Sequence, residues 1–228
     1  MIKLAKNIFN FIKNKKYKRS YSQSGEDILL ATLFNNVKSG FYIDVGACDP
    51  YFQSNTQYLY EKGWCGINID ANESSINKLN KKRTRDINIC ALINDEDKIF
   101  DYYLFKNPAY NGIFNNGKVP SQLVESKKVK SQTLTEILRI NNVNEIEFLS
   151  IDVEGNELNV LKSLDFNLYK PKAILVESFN YEIDIDKSTT VSNYLYDNGY
   201  LYLSKTLTNT LYINKLYYKE RFFDSTKI

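Results

Sequence analysis

The sequence predicts an α/β domain whose core is a mostly parallel sheet with helices on both faces. Two short apolar runs, residues 41–47 and 65–70, each place an acid where a strand would end, and Asp70 follows Asp44 by 26 residues. That spacing fits one strand–helix–strand unit. Predicted strands and helices alternate along the rest of the chain, which is typical of a parallel sheet. The 228 residues are 43% hydrophobic and 25% charged, as in an ordinary globular domain.

The first half of the chain predicts three strands and three helices. A helix follows Ser24, because Ser24 and Asp27 have the spacing of a capping box. Asn72 is the predicted N-cap of a helix at about 73–82, and another helix is predicted at about 53–62. Apolar runs predict strands at 41–45, 65–69 and 86–91.

The second half predicts the rest of the sheet. A strand at 99–105 precedes a loop at 107–120, which holds two Pro, two Gly and four Asn. A second capping box, Thr133 to Glu136, opens a helix at 133–140. Further strands are predicted at 146–151 and 172–176, with helices at 156–164 and 188–198. Residues 200–203 and 210–213 predict a closing antiparallel hairpin at the edge of the sheet.

Composition excludes several function classes. The chain has no histidine, so it has neither a Ser-His-Asp triad nor a His-ligated metal. Its three cysteines, Cys48, Cys65 and Cys90, fit neither a zinc site nor a disulfide framework, and they predict reduced thiols in the cytoplasm. No apolar stretch is long enough to span a bilayer.

The basic residues are concentrated at the N-terminus. Residues 1–19 hold seven Lys or Arg and no acid, and the remaining 23 basic and 27 acidic residues give the body a charge of −4. The body is therefore not a nucleic-acid surface. Residues 1–20 predict a basic amphipathic segment that binds an anionic membrane surface or a partner, with a locally packed terminal helix as the alternative. Residues 21–228 form the predicted domain.

Four predicted strands end in acids, namely Asp44, Asp70, Asp152 and Glu177. In a doubly wound sheet these ends meet at one edge, where nucleotide-like ligands bind. A strand-end acid is often only a helix cap, so each residue alone is weak support. Four acids on one edge predict a ligand site.

The turn after the first strand argues against a dinucleotide. It has one glycine, Gly46, where a pyrophosphate site needs Gly-x-Gly-x-x-Gly, and Asp49 and Pro50 oppose a phosphate. S-adenosylmethionine carries a ribose and a cationic methionine end but no phosphate. Asp44 and Asp49 would favour the cationic end, and Asp70 would accept hydrogen bonds from the ribose hydroxyls.

Several sequence blocks resemble the FkbM family of S-adenosylmethionine-dependent methyltransferases. They are SQSGED at 22–27, GFYIDVGA at 40–47, Pro50 with SNT at 54–56, YEKGWCG at 60–66, ID at 69–70, FLSIDVEG at 148–155 and PKAI at 171–174. The resemblance spans about residues 21–180 and implies a class I methyltransferase fold with a seven-stranded, mostly parallel sheet. The cofactor-binding residues that it implies are Gln23, Glu26, Asp44, Gly46, Ser54, Asn55, Thr56, Asp70, Ala71, Cys90, Ala91 and Asp152.

Within this resemblance the predicted roles differ along the chain. Gln23 and Glu26 would close over the methionine end, and free amides at residues 54–56 would bind its carboxylate at a helix start. Asp70 and Ala71 would lie at the ribose, and Cys90 and Ala91 at the adenine.

The predicted reaction edge comprises Asp152, Glu154 and Glu177 as catalytic residues. Without histidine, two routes to an activated hydroxyl stay open: a carboxylate acts as general base, or Asp152 and Glu177 hold Mg²⁺ or Mn²⁺. Glu154 would serve either as the base or as a partner of the cofactor amine. The alternative to a catalytic role is that Glu177 pairs with a lysine or caps a helix.

The resemblance implies O-methylation of a saccharide or nucleotide-activated sugar. The acceptor would therefore be a small molecule or a glycan. The basic N-terminus would be consistent with a protein that acts near a membrane-associated glycan assembly system. The aromatics Tyr110, Phe114, Phe179 and Tyr181 would stack on a sugar ring or close a lid. Alternatives are another acceptor (carboxylate, amide or lipid), a non-catalytic binding module and an NAD-linked oxidoreductase. The oligomeric state stays open.

Overall fold

A computed structural model describes residues 20–114, 122–178 and 190–223. Ten strands lie in these ranges. In chain order they are β1 Phe41–Val45, β2 Cys65–Asp70, β3 Ile87–Cys90, β4 Leu92–Ile93, β5 Ile99–Phe105, β6 Leu123–Gln132, β7 Phe148–Ile151, β8 Ala173–Glu177, β9 Tyr200–Lys205 and β10 Asn209–Asn214.

Seven of these strands form the main sheet, in the order β3-β2-β1-β7-β8-β10-β9. The neighbours from β3 to β8 pair in parallel, and β10 is antiparallel to both β8 and β9. The predicted seven-stranded, mostly parallel sheet and its C-terminal hairpin are thus confirmed. The sheet order reverses between β1 and β7, which is where open α/β sheets place their ligands.

Helices cover both faces of this sheet, as predicted. They are α1 Glu26–Leu33, α2 Gln57–Glu61, α3 Glu73–Lys82, α4 Leu134–Ile140, α5 Glu157–Lys162, α6 Thr190–Asp197 and α7 Lys215–Phe222. Adjacent residues of a strand point to opposite faces. Tyr42 of β1 accordingly packs with Leu30 of α1, whereas Ile43 packs with Val160 of α5.

Two of the three predicted helix caps are confirmed. The side chains of Asn72 and Thr133 accept hydrogen bonds from the amides of Ser74 and Glu136, at 3.0 and 3.2 Å. The capping box at Ser24 is wrong, because the N-cap of α1 is Gly25 in a left-handed conformation, at φ +88°. Glu26 nevertheless accepts a hydrogen bond from the Ser24 amide.

A second sheet of three strands, β4-β6-β5, follows β3. Strand β6 was not predicted, because nearly all of its residues are exposed and they show no apolar alternation. It pairs antiparallel with β5 and parallel with β4. The described part of the predicted loop contains a short 3₁₀ helix, Pro108–Tyr110.

Several predictions fall outside the described residues: most of the basic segment at 1–20, the aromatics Phe179 and Tyr181, and the first two residues of the helix at 188–198. In the described ranges, no helix combines the length and apolarity that crossing a bilayer requires.

Candidate active site

A cavity of about 500 Å³ lies at the carboxyl ends of the central parallel strands. Its lining includes the four strand-end acids Asp44, Asp70, Asp152 and Glu177. Their predicted convergence on one edge is therefore confirmed. The volume is in the range of pockets for small molecules and cofactors.

Gly46 allows the ends of β1 and β7 to approach each other. Its φ is +87°, and a Cβ atom built on it would lie 1.7 Å from the Asp152 carbonyl oxygen. Any side chain at this position would displace the backbone of Asp152. The glycine thus fixes the position of Asp152 relative to the turn after β1.

Arg83 holds the loop between β1 and α2 from behind the cavity. Its side chain is 1% exposed and donates hydrogen bonds to the Pro50 carbonyl at 3.0 Å, to Ser54 Oγ at 2.9 Å and to Tyr42 Oη at 3.0 Å. These bonds keep residues 50–54 out of α2, which explains why that helix begins at Gln57 rather than at the predicted residue 53.

Asp44 lies at the end of the same hydrogen-bond network. Thr56 Oγ1 donates to Asp44 Oδ2 at 2.7 Å and also lies 3.4 Å from two Arg83 nitrogens. Asp86 completes the network, 3.7 Å from Arg83 Nη1 and hydrogen-bonded to Tyr42. Burial raises the pKa of Asp44, and the Thr56 hydroxyl and the Arg83 charge oppose that rise. We call Tyr42, Asp44, Thr56, Arg83 and Asp86 the Arg83 network.

Asp70 lies beside an apolar wall. The wall consists of Ala71, Leu92, Tyr102 and Ile113, which pack together and line the cavity. Asp70 Oδ1 accepts a hydrogen bond from the Asn72 amide at 2.6 Å, which fixes the carboxylate at the end of β2. Burial raises the pKa of Asp70 to about 7. A flat apolar ring with neighbouring hydroxyls would match this surface.

Asp152, Glu154 and Glu177 form a compact group at the opposite side of the cavity, which we call the three-acid group. One carboxylate oxygen from each lies within 4.8 Å of the other two. Burial raises the pKa of both Asp152 and Glu177, and the neighbouring carboxylates raise the pKa of Glu177 further. No ion pair among the described residues includes a member of this group.

The backbone at Glu154 adopts an uncommon conformation. Glu154 has φ +55° and Gly155 has φ +101°, so two successive residues are left-handed. Glu157 supports the turn, since its Oε1 accepts a hydrogen bond from the Gly155 amide at 2.8 Å. Burial and the charges of Asp152 and Glu157 raise the pKa of Glu154 to about 7. Strained residues are concentrated at functional sites, and this one carries a carboxylate that would exchange a proton near neutral pH.

Most of the predicted site residues line the cavity: Gln23, Asp44, Gly46, Ser54, Asn55, Asp70, Ala71, Ala91, Asp152, Glu154 and Glu177. Glu26, Thr56 and Cys90 do not line it, and their predicted contact with a cofactor stays a prediction. Glu26 is fully buried and accepts hydrogen bonds from Thr206 and Asn209. Thr56 is also fully buried, within the Arg83 network, and the Cys90 thiol is directed at the Ala71 carbonyl.

The loop after β5 contributes two aromatics with different roles. Tyr110 lines the cavity and is 56% exposed, whereas Phe114 packs edge-on against Tyr103 and Phe105. Phe52, on the loop after β1, also lines the cavity and is 70% exposed. Tyr110 is thus available to a ligand, and Phe114 supports the second sheet.

Sequence reasoning missed Arg83 and most of the apolar wall. Arg83 follows Lys81 and Lys82, so it reads as part of a solvated basic helix end. The alternation of residues 99–105 predicts a strand for Tyr102 but does not show that it faces a ligand cavity.

The family described as "Methyltransferase FkbM domain" matches residues 44–202 of the chain. This range contains the turn at Gly46, the Arg83 network except Tyr42, the apolar wall and the three-acid group. No curated protein matches the sequence.

Similar solved structures include methyltransferases of low sequence identity. A precorrin-6y C5,15-methyltransferase from Geobacter metallireducens is 10% identical with a TM-score of 0.45, covering 83% of this chain and 87% of its own. A proposed caffeoyl-CoA O-methyltransferase from Staphylococcus aureus is 12% identical with a TM-score of 0.44, covering 91% of each chain. At these scores the similarity carries no argument about the substrate.

Proposed function

The chain belongs to the FkbM methyltransferase family and has a class I methyltransferase fold, and we propose that it transfers a methyl group from S-adenosylmethionine to a hydroxyl of a saccharide. The observation that carries this proposal is that one cavity contains an apolar wall, a fixed strand-end acid and a separate three-acid group. The first two match an adenosine, and the third lies where a methyl acceptor would approach.

The adenosine end of the cofactor fits the β2 side of the cavity. The wall at Ala71, Leu92, Tyr102 and Ile113 would pack against the adenine ring, and Asp70 would accept hydrogen bonds from the ribose hydroxyls. The Asn72 amide already orients one oxygen of the Asp70 carboxylate. The hydrogen-bond acceptor and the apolar wall on this side of the cavity thus suit a nucleoside without a phosphate.

The cationic methionine end has a better partner in the three-acid group than in the residues expected from the sequence. Asp44 already accepts a hydrogen bond from Thr56. Asp49 accepts hydrogen bonds from the amides of Tyr51 and Phe52 and pairs with Lys78 at 3.2 Å. Asp152 and Glu154 have no cationic partner among the described residues and would supply the negative charge.

The charge of the cavity favours a neutral acceptor. Six acids line it, Asp44, Asp49, Asp70, Asp152, Glu154 and Glu177, and the described lining holds one basic residue, Lys78. A phosphate-bearing acceptor would meet net repulsion there. A neutral sugar ring would not, and the exposed rings of Tyr110 and Phe52 offer apolar surface at the cavity mouth.

Methyl transfer needs alignment of the acceptor and removal of its proton. When bound, the cofactor supplies a methyl group already activated by its sulfonium. Glu154 would accept the hydroxyl proton, because its pKa of about 7 leaves much of it ionised at neutral pH while keeping it basic. Asp152, held against Gly46, would orient the hydroxyl. The alternative to a carboxylate base, a bound cation, is taken up below.

The test is methyl transfer from labelled S-adenosylmethionine to a panel of neutral saccharides, nucleotide-activated sugars, carboxylates, amides and lipids, read by mass spectrometry. We expect a mass gain of one methyl on a neutral saccharide. Asp101→Asn, which changes an exposed acid that does not line the cavity, serves as the matched active control. A product only with nucleotide sugars would overturn the charge argument. No transfer to any acceptor, with S-adenosylhomocysteine still bound, would indicate a non-catalytic module.

A further inference from the structure

We propose that Asp152, Glu154 and Glu177 together bind one divalent cation, Mg²⁺ or Mn²⁺, at the end of the cavity where the acceptor enters. This inference deepens the proposed function and rests on it for the cation's role, which is to activate the acceptor hydroxyl in place of Glu154 as general base. The binding site itself stands on the geometry of the three side chains.

The spacing of the three carboxylates suits a single small cation. One oxygen from each lies within 4.8 Å of the other two. Mg²⁺ binds oxygen at about 2.1 Å, so two ligands on opposite sides of the ion are about 4.2 Å apart and adjacent ligands are closer. Small rotations of three side chains would therefore complete half of an octahedral shell.

Glu177 provides an independent reason to expect a positive ligand. The residue is only 9% exposed and lines the cavity, its Oε2 atom is buried without a hydrogen-bond donor, and its side chain's one hydrogen-bonding contact among the described residues is with another carboxyl group, that of Asp152. A buried carboxylate oxygen without a partner is costly, and native proteins resolve such atoms with a hydrogen bond, an ion or a proton. The neighbouring charges with the largest effect on it are acidic: Asp152, Glu154 and Glu157.

The donor chemistry selects the kind of ion. All three ligands are carboxylate oxygens, and hard oxygen ligands favour Mg²⁺, Mn²⁺ or Ca²⁺ over softer metals. The remaining positions face the cavity, so water or an acceptor oxygen would fill them. Mg²⁺ typically leaves such positions to water and substrate. A cation there would lower the pKa of an acceptor hydroxyl that reaches it.

The loop that follows β5 passes over the three-acid group at Gly112. A Cβ atom on Gly112 would lie 3.5 Å from the Glu154 Cβ atom and 3.8 Å from the Val153 carbonyl oxygen. The backbone of the loop therefore lies directly over the turn at Glu154. This cover shields one side of the three-acid group and leaves the cavity as its open side.

The experiment is a titration of the full-length chain with Mn²⁺, followed by electron paramagnetic resonance of the free ion, without cofactor or acceptor. We expect one Mn²⁺ per chain and competition by Mg²⁺. Glu177→Gln and Glu154→Gln should each weaken Mn²⁺ binding at least tenfold. Asp101→Asn should bind as the wild type does, because Asp101 is exposed and paired with Lys128. Circular dichroism verifies folding, and Glu154→Gln, at a less buried position, tests the site should Glu177→Gln fail to fold.

The outcomes separate the cation site from the proposed function. Absence of Mn²⁺ binding, or binding that neither glutamine variant changes, overturns the site and leaves a shared proton as the partner of Glu177. If the chain binds no Mn²⁺ and EDTA leaves methyl transfer unchanged, the cation site is overturned and the methyltransferase proposal stands. One bound Mn²⁺ without transfer to any acceptor supports the site and overturns the proposed acceptor chemistry.

Discussion

Two groups of acids in the domain have opposite electrostatic surroundings. In the Arg83 network, Asp44 and Asp86 are buried around a guanidinium and accept hydrogen bonds from Thr56 and Tyr42. In the three-acid group, Asp152, Glu154 and Glu177 are also largely buried but have no cation among the described residues. The first group has its positive partner in Arg83, and the second has none among the described residues.

This difference indicates that the Arg83 network has a structural role and the three-acid group a role in binding or catalysis. Removing one partner from a buried pair leaves an uncompensated charge and is strongly destabilising. Keeping unpaired acids together costs stability, and proteins typically retain such an arrangement where binding or catalysis needs it. We therefore expect substitutions in the Arg83 network to act mainly on folding, and substitutions in the three-acid group to act mainly on turnover.

The largest effect is expected for Asp152→Asn. This change keeps the volume of the side chain but removes its charge at the reaction edge, so methyl transfer should fall on the order of 10²–10⁴-fold. Affinity for S-adenosylhomocysteine should change less than about tenfold. Single-turnover rates and calorimetric titration measure the two quantities. Preserved turnover would remove Asp152 from the catalytic role and erase the contrast between the two groups.

The next effect is a loss of stability in Arg83→Met. The guanidinium is 1% exposed, and its removal leaves Asp44 and Asp86 without a cation, so the free energy of unfolding should fall by about 3–5 kcal/mol. Urea denaturation measures it. Lys78→Met is the matched control, because the exposed Lys78–Asp49 pair is worth about 0–1 kcal/mol. Equal losses in the two variants would show that the network is not a structural support.

The pH dependence of cofactor binding tests Asp70, which belongs to neither group. Its pKa is raised from 3.8 to about 7, and the ionised form accepts ribose hydrogen bonds. Affinity for S-adenosylhomocysteine should therefore rise with pH by up to about tenfold per unit below 7 and level off above it. Asp70→Asn should bind more weakly and show a flatter profile in calorimetric titrations.

The same shift means that Asp70 lowers folding stability as pH rises from about 4 to 7, since the folded state holds its proton more tightly.

The smallest effect is a gain of stability in Glu177→Gln. The amide removes a buried carboxylate from two neighbouring acids, so the free energy of unfolding should increase by about 1 kcal/mol in the presence of EDTA. Glu147→Gln is the opposite control. Glu147 is buried too, but it accepts a hydrogen bond from the Phe41 amide and pairs with Lys172 at 2.9 Å, so its loss should cost about 1–3 kcal/mol. Destabilisation of similar size in both variants would contradict an unpaired Glu177.

The parts of the site that could be predicted from sequence are those that follow from the shared direction of parallel strands. Asp70 and Glu177 end strands of the sheet, Asp44 lies one residue before the end of β1, and Asp152 follows β7. Parallel strands place these ends on one edge. The caps at Asn72 and Thr133 were likewise local, since each involves residues two or three positions apart. Strand β6 was missed because its exposed, charged residues carry no periodic signal.

Local sequence by itself determined the strand ends and the glycine at the first turn. It also determined the absence of histidine, which leaves activation of a hydroxyl to a carboxylate or a bound group. Only the tertiary structure decided which acids are paired. Arg83 reaches Pro50 and Ser54 from more than 25 positions away, and Glu177 meets Asp152 across neighbouring strands. The reason is physical: the pKa and the cost of a buried charge depend on neighbours and on the exclusion of water, and both are set by packing over long sequence separations.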